Sequence, residues 1–196
     1  MQTKQHLRAE LRAKRREHLA ALSPAVQALV FHRPPAAVTA LVPDRATIGL
    51  YIAQSAEAPT LAYAKWFHEN GHALALPYFA GREAAMQFRR WHNPFDETEL
   101  QTGPFCPQPI EDADELTPDI LFVPLVGFTE DGHRLGQGAG HYDRWLAAHP
   151  DVLAIGLAWD CQLVEQLPVE QHDRPLKTII TPTRLYRTAA ATGALY

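Results

Sequence analysis

Cysteine is scarce in this chain of 196 residues, and neither Cys106 nor Cys161 belongs to a C-x-x-C pattern. The scarcity excludes a disulfide framework and gives no support to a structural zinc site. The charged N-terminus lacks the apolar core of a signal peptide, and no segment reaches the run of about 20 apolar residues that spans a membrane. We therefore expect a cytoplasmic protein with no membrane partner.

Positive charge is not in excess either, because the net charge is −4 and the pI is near 6.2. This balance argues against a protein that coats nucleic acid, so we expect no nucleic-acid partner. The sequence also lacks a Walker loop, a G-x-G-x-x-G fingerprint and an H-E-x-x-H pair. With no internal repeat and a length suited to one core, residues 1–196 are predicted to form a single domain.

Apolar runs alternate with helix-compatible segments along the chain. Six runs are predicted strands, at residues 46–53, 72–77, 86–91, 119–125, 152–159 and 177–181. Near-continuous apolar strands separated by helices are typical of a parallel sheet covered on both faces. The prediction is a three-layer α/β/α sandwich with a mostly parallel, Rossmann-like sheet and ligands beyond the strand C-termini. The Pro-rich and acidic stretch 93–118 is predicted to be a surface excursion.

What the chain does contain is a glycine-rich loop with an unusual spacing. Gly136, Gly138 and Gly140 lead into a helix-compatible run, and Arg134 and Arg144 flank them. Glycine permits positive φ and close approach to the backbone, and a helix N-terminus attracts anions. The loop is therefore a candidate phosphate site. A tight turn from strand to helix is the alternative interpretation.

Basic side chains line one side of the predicted first helix. Lys4, Arg8, Arg12 and Arg15 follow one another at helical spacing, beside an apolar stripe that includes Leu7 and Leu11. Like charges at i, i+4 destabilise a helix unless an anion lies opposite. The row indicates either a clamp for polyphosphate or a solvated basic face.

Two carboxylates stand near the predicted ligand site. Asp143 follows the glycine loop and Asp173 precedes the last predicted strand. If both loops open at one sheet edge, the pair could hold a phosphate-bound Mg²⁺ ion. The alternatives are that Asp143 complements the helix dipole and that Asp173 is a turn residue.

Five blocks in this order resemble the 5-formyltetrahydrofolate cyclo-ligase family. They are KQHLR at 4–8, YIAQSAEAPT at 51–60, GHALALP at 71–77, PLVGFTEDGHRLGQGAGHYDR at 124–144 and QLVEQLPVEQHDRPLKTIIT at 162–181. The resemblance implies ATP-dependent closure of 5-formyltetrahydrofolate, with or without a polyglutamate tail, to 5,10-methenyltetrahydrofolate through an N5-iminium phosphate. It further implies a monomer with no protein nucleophile.

The resemblance also implies the site residues. ATP would be held by Lys4, Gln5, His6, Leu7, Arg8, Arg134, Leu135, Gly136, Gln137, Gly138, Ala139, Gly140, His141 and Tyr142. Folate would be held by Arg8, Ile52, Glu57, Gln137, Gly138, Ala139, Gly140 and His141. Mg²⁺ would be held by Asp143 and Asp173.

The chain departs from the family pattern at four positions. His141 replaces the first Tyr of the usual YYD, Ala139 stands where some members have Gly or Lys, Gln108 replaces a frequent Glu, and Pro104 replaces an aromatic residue. These differences bear on how the pterin ring is held. Two other classes remain open: a metal-free sugar-phosphate isomerase or acyl-transfer enzyme with His141 as base, and a non-catalytic protein that docks a partner on the basic helix.

Overall fold

A mixed sheet forms the centre of the protein in the computed structural model, which describes residues 3–54, 56–170 and 174–188. The helices are α1 (Lys4–Ala21), α2 (Pro24–Leu29), α3 (Ala36–Thr39), α4 (Leu61–Glu69) and α5 (His141–Ala148). The strands are β1 (Thr47–Gly49), β2 (Ala73–Tyr78), β3 (Gln87–Trp91), β4 (Leu100–Thr102), β5 (Pro107–Pro109), β6 (Ile120–Pro124), β7 (Gly127–Phe128), β8 (Arg134–Leu135), β9 (Leu153–Leu157), β10 (Thr178–Ile180) and β11 (Leu185–Arg187).

Seven of these strands form the sheet in the order β11-β10-β9-β6-β1-β2-β3. The five inner strands run parallel, whereas the edge strands β3 and β11 are antiparallel to their neighbours. The α/β fold with a mostly parallel sheet is thus confirmed. The antiparallel edges were not predicted, because an apolar run does not reveal the direction of its neighbour.

Alternate residues of the strands feed two cores on opposite faces of the sheet. Leu74 and Phe122 pack with α4 on one face, and Ala75 and Leu121 pack with Trp145 of α5 on the other. Strands buried on both faces read as unbroken apolar runs, which is why the sequence revealed them.

Helix α1 begins at a Thr3 cap, whose hydroxyl accepts a hydrogen bond from the His6 N–H at 3.3 Å. Its apolar stripe places Leu7 and Leu11 in a third small core with Val126 and Leu135. The amphipathic prediction for this helix is confirmed. Burial of the stripe sets α1 across the β7–β8 hairpin, at the carboxyl end of β6.

Two predicted segments differ from the observed elements. The run 46–53 contributes only Thr47–Gly49 to the sheet, because the chain leaves the sheet after Gly49. The excursion 93–118 contains a 3₁₀ turn and the β4–β5 hairpin. Short antiparallel pairs of three residues give too little alternation for a sequence pattern to detect.

Both cysteines are free thiols, as the sequence predicts. Over the described ranges, no helix combines the length and the apolar character needed to cross a bilayer.

Candidate active site

A cavity of about 620 Å³ opens at the carboxyl ends of the central strands. Its walls come from α1, from residues 51–54 and 56–60 after β1, and from residues 134–140 before α5. We call the second wall the Glu57 segment and the third the glycine loop. This position is where ligands bind in open α/β sheets, because loops from neighbouring strands converge there.

The Glu57 segment is fixed by hydrogen bonds within itself and to the core. The Tyr51 hydroxyl donates to the Ala58 carbonyl at 2.7 Å, the Thr60 hydroxyl donates to the Tyr51 carbonyl, and the Trp159 indole donates to the Ala56 carbonyl at 2.9 Å. Glu57 then accepts from the Gln54 N–H at 3.0 Å. A carboxylate is therefore held at a set place on the cavity wall.

Negative charge from Glu57 acts on its neighbours. Burial raises the pKa of Tyr51 well above its ordinary value, and Glu57 adds to the rise. The pKa of Tyr142 is also raised, first by burial and then by Cys106 and Glu57. Both phenols stay neutral at physiological pH, and the single proton of the Tyr51 hydroxyl is used in its bond to the Ala58 carbonyl.

The glycine loop uses positive φ at two of its three glycines. Gly138 has φ +112°, and Gly140 has φ +68° as the residue that caps α5. Gly136 has no such φ, and a Cβ built on it meets nothing within 4 Å. The loop therefore needs glycine at 138 and 140 for its conformation.

Basic side chains of α1 hold this loop from a distant part of the sequence. Arg8 Nε donates to the Gly136 carbonyl at 2.9 Å, and Arg12 Nη2 donates to the Gln137 carbonyl at 3.2 Å. Gln137 Nε2 in turn donates to Glu57 Oε1 at 2.7 Å. The three walls are thereby joined by one chain of polar contacts.

Most of the predicted ATP residues meet at the cavity. Lys4, Arg8 and residues 134–142 line it, and Lys4 Nζ lies 2.8 Å from Glu170 Oε1. Gln5, His6 and Leu7 do not line it, because helical spacing turns Gln5 and His6 to the surface and Leu7 into the core. The predicted folate residues Ile52 and Glu57 lie on the same cavity.

The predicted metal ligands are only partly placed. Asp143 lines the cavity and forms an ion pair with Arg134, which also donates to the Arg174 carbonyl at 2.9 Å. Asp173 lies outside the described residues. Within the described part of the chain, no group of three His, Cys, Asp or Glu side chains could enclose a metal ion. One exposed carboxylate fits a Mg²⁺ ion that is held mainly by phosphate oxygens.

An aromatic surface forms another part of the cavity lining. The rings of Phe79 and Phe105 lie 4.8 Å apart, and the ring of His141 lies 4.8 Å from the first and 5.1 Å from the second. Gln108 is buried and exchanges two 3.1 Å hydrogen bonds with the Phe79 backbone. The sequence analysis missed Phe79, although its position directly after β2 was a usable signal.

His141 carries its proton on a buried ring nitrogen. Arg144 Nη2 lies 3.2 Å from Nδ1, and a guanidinium can only donate, so Nδ1 accepts and Nε2 carries the proton. Nε2 is buried and makes no hydrogen bond in the described part of the protein. Burial and the charge of Arg144 lower the pKa of His141, which is consistent with a neutral ring.

Comparison with known proteins supports the family that the sequence motifs resemble. The family model matches most of the chain, whereas the individual relatives align over shorter regions. Residues 1–182 match the model of the 5-formyltetrahydrofolate cyclo-ligase family. The chain is 50% identical over 70 residues to a 5-formyltetrahydrofolate cyclo-ligase of Escherichia coli, which covers 35% of this chain and 38% of that protein. It is 37% identical over 67 residues to the mouse protein of that name, covering 32% and 33% respectively. The aligned regions thus span about a third of these relatives.

Similarity of structure extends over nearly the whole chain. The structure of a 5,10-methenyltetrahydrofolate synthetase of Aquifex aeolicus aligns with a TM-score of 0.66 at 24% sequence identity. The alignment covers 95% of this chain and 93% of that chain. One from Mycoplasma pneumoniae has the same TM-score at 23% identity, covering 91% and 98%. The fold is shared with both, and with its family match over residues 1–182 the chain belongs to the 5-formyltetrahydrofolate cyclo-ligase family.

Proposed function

We propose that the protein converts 5-formyltetrahydrofolate to 5,10-methenyltetrahydrofolate at the expense of ATP. The observation that carries this proposal is that one cavity has a basic side and an aromatic side. Arg8, Arg12 and the glycine loop form the first, whereas Phe79, Phe105 and His141 form the second. A polyanionic nucleotide suits the former and a flat heterocycle suits the latter.

The reaction needs little covalent chemistry from the protein. The formyl oxygen on N5 attacks the γ-phosphorus of ATP, and the bond to the bridging oxygen breaks to release ADP. N10 then attacks the activated carbon and loses its proton, while the C–O bond breaks and inorganic phosphate leaves. Such phosphoryl transfer requires alignment and stabilisation of charge on the phosphoryl oxygens.

The residues of the cavity supply these requirements. Donors from α1 and the N-terminus of α5 favour the phosphates, and the fixed carboxylate of Glu57 accepts hydrogen bonds from N–H groups of the folate. The rings of His141, Phe79 and Phe105 are suited to contact with the flat pterin ring. Asp143 would hold Mg²⁺, which would neutralise charge between the phosphates.

The competing functions are less well supported by these contacts. A sugar-phosphate isomerase needs a general base. His141 does not supply one, because its Nδ1 accepts from Arg144 and its other ring nitrogen already carries a proton. A docking helix needs a free basic face, yet Arg8 and Arg12 donate to the glycine loop. We propose a monomeric enzyme, and the two free thiols suit the reducing cytoplasm.

The test is an absorbance assay for methenyltetrahydrofolate. Purified protein is mixed with 5-formyltetrahydrofolate, with and without Mg-ATP, and with substrates that carry one or several glutamates. We expect product only when ATP is present, with one ADP released for each ring closed. ATP-independent product, or none under any condition, would contradict the proposal.

A further inference from the structure

One cation of the cavity is buried and has no acidic group at ion-pair distance in the described part of the chain. Arg15 is only 5% exposed, although it belongs to the basic row of α1. Within the described ranges its one hydrogen bond joins Nη1 to the Leu125 carbonyl at 3.3 Å, and its Nε has no acceptor there. Among the described residues it forms no ion pair. Burying a guanidinium in this state costs free energy that an anionic ligand would recover.

Four other cations around the cavity are already engaged, and a fifth, Arg16, is exposed to solvent. Lys4 pairs with Glu170, Arg134 pairs with Asp143, and Arg8 and Arg12 donate to the glycine loop. Arg15 differs from them in being buried with one long contact to a carbonyl. Leu125 does not depend on that contact, because Gln162 Nε2 also donates to its carbonyl. A structural role at the Leu125 carbonyl therefore does not explain why a guanidinium is buried at this position.

The position of Arg15 indicates which anion it would meet. It lies three residues beyond Arg12 on α1, which is about 4.5 Å farther along the helix axis. Lys4 and Arg8 lie at the other end of the row. If the phosphate groups of ATP bind along α1, the terminal phosphate would therefore lie at Arg15. Leu125 follows the carboxyl end of β6, so this end of the row lies over the middle of the sheet.

We propose that Arg15 is the receptor for the transferred phosphoryl group, first as the terminal phosphate of ATP and then as inorganic phosphate. This inference rests on the proposed function and deepens it. Glu57 lies on the same cavity and, among the described residues, forms no ion pair with Arg15. Burial lowers the pKa of Arg15, and the negative charge of Glu57 opposes that effect from across the cavity. Arg15 would hold the phosphoryl group at the end of the basic row, near Leu125, until ring closure releases phosphate.

Inorganic phosphate is the probe, since its binding requires neither ATP nor folate. Phosphate affinity and melting temperature are measured for the wild type, Arg15→Met, Arg15→Gln and Arg90→Gln. The last variant is a matched control, because Arg90 pairs with Asp114 on the edge strand β3 and does not line the cavity. We expect Arg15→Met and Arg15→Gln to weaken phosphate binding by about tenfold or more, the loss for a charge-assisted contact. Arg90→Gln should bind phosphate as the wild type does.

Stability separates this role from a structural one. Met fills a similar volume without a charge, so Arg15→Met should melt at the wild-type temperature or higher, and phosphate should no longer raise it. In turnover assays kcat should fall about tenfold or more while KM for 5-formyltetrahydrofolate changes little. Undiminished phosphate binding by Arg15→Met would overturn the inference. So would a clear loss of stability with normal activity per folded molecule.

A dicarboxylate, glutarate, tests the other chemistry that a guanidinium recognises. If glutarate protects the wild type as well as phosphate does and the protection requires Arg15, the residue serves a carboxylate and the inference is wrong. Failure of the proposed function looks different. In that case the wild type makes no methenyltetrahydrofolate, whereas the Arg15-dependent binding of phosphate is still present.

Discussion

The Glu57 segment and the glycine loop face each other across the cavity, and they are held in different ways. The Glu57 segment is fixed by partners a few residues away, such as the Tyr51–Ala58 bond, and by the buried indole of Trp159. The glycine loop is exposed at 137–139 and is held by arginines of α1 that lie 125 or more positions away in the sequence. The first wall is a fixed template, whereas the second depends on the docking of another element.

This difference predicts which parts of the site adjust to ligands. A segment with buried local bonds opens only at a high free-energy cost, whereas an exposed loop with a few side-chain contacts rearranges easily. Arg8, Arg12 and Gln137 can exchange their present contacts for those of a nucleotide. The following changes test the comparison, from the largest expected effect to the smallest.

Gly138→Ala should have the largest effect because it acts on the backbone of the glycine loop. At φ +112° an alanine is strained, and its methyl group would lie 3.4 Å from Cζ of Arg8, against the guanidinium that holds the loop. We expect cyclisation to be abolished at ordinary ATP concentrations, with about 1–3 kcal/mol lost from the free energy of unfolding. Activity per folded molecule, measured beside a denaturant melt, checks this.

Gly81→Ala is the matched control, because Gly81 does not line the cavity. A Cβ at this position meets nothing within 4 Å and the backbone does not require glycine. Near-normal turnover is expected. If Gly138→Ala keeps full specific activity, the loop is only a turn and the placement of the active site is wrong.

Glu57→Gln tests the link between the two walls. The change keeps the size of the side chain but removes the charge and one acceptor for Gln54 or Gln137. We expect kcat/KM to fall by about 10- to 100-fold, equal to about 1.5–3 kcal/mol for contacts to a charged group. Steady-state kinetics measures it, and a melting curve should shift little. Gln54→Ala, which removes a neighbouring side chain and leaves the carboxylate, should be much milder.

Asp143→Asn tests the metal at the end of the glycine loop. It removes the charge that pairs with Arg134 and that would hold Mg²⁺. Activity should fall by about an order of magnitude, and more Mg²⁺ should be needed for half-maximal rate. Stability should change little, since Asp143 is exposed and Arg134 keeps its bond to the Arg174 carbonyl. A wild-type Mg²⁺ dependence in the variant would remove Asp143 from the metal site.

Arg8 and Lys4 should differ although both lie on the basic row. Arg8→Ala removes a half-buried contact to the Gly136 carbonyl and should weaken ATP binding by about 1–3 kcal/mol. Lys4→Ala removes a side chain that pairs with the exposed Glu170 and makes no contact with the glycine loop among the described contacts, so its effect should lie at the lower end of that range. ATP titrations give both values. Equal effects would mean that Lys4 and Arg8 contribute alike to nucleotide binding.

The sequence revealed the parts of the molecule whose physics is local. Leu7 and Leu11 follow the helical period, so α1 and its buried stripe could be predicted, as could the unbroken apolar runs of the inner strands. Gly138 and Gly140 indicated a loop that needs positive φ, which the structure shows. The motifs around these residues were sufficient for the family.

Only the tertiary structure decided which polar groups meet. Arg8 and Arg12 are joined to the glycine loop, and Gln137 to Glu57, by folding of distant segments over one sheet edge. The same packing buried Arg15 while leaving Arg16 exposed, and it brought Phe79, Phe105 and His141 together. Helical and strand periods specify which face a residue occupies, but they carry no information on what lies opposite that face, because the loops and connections that bring the faces together are set by the packing of the whole chain.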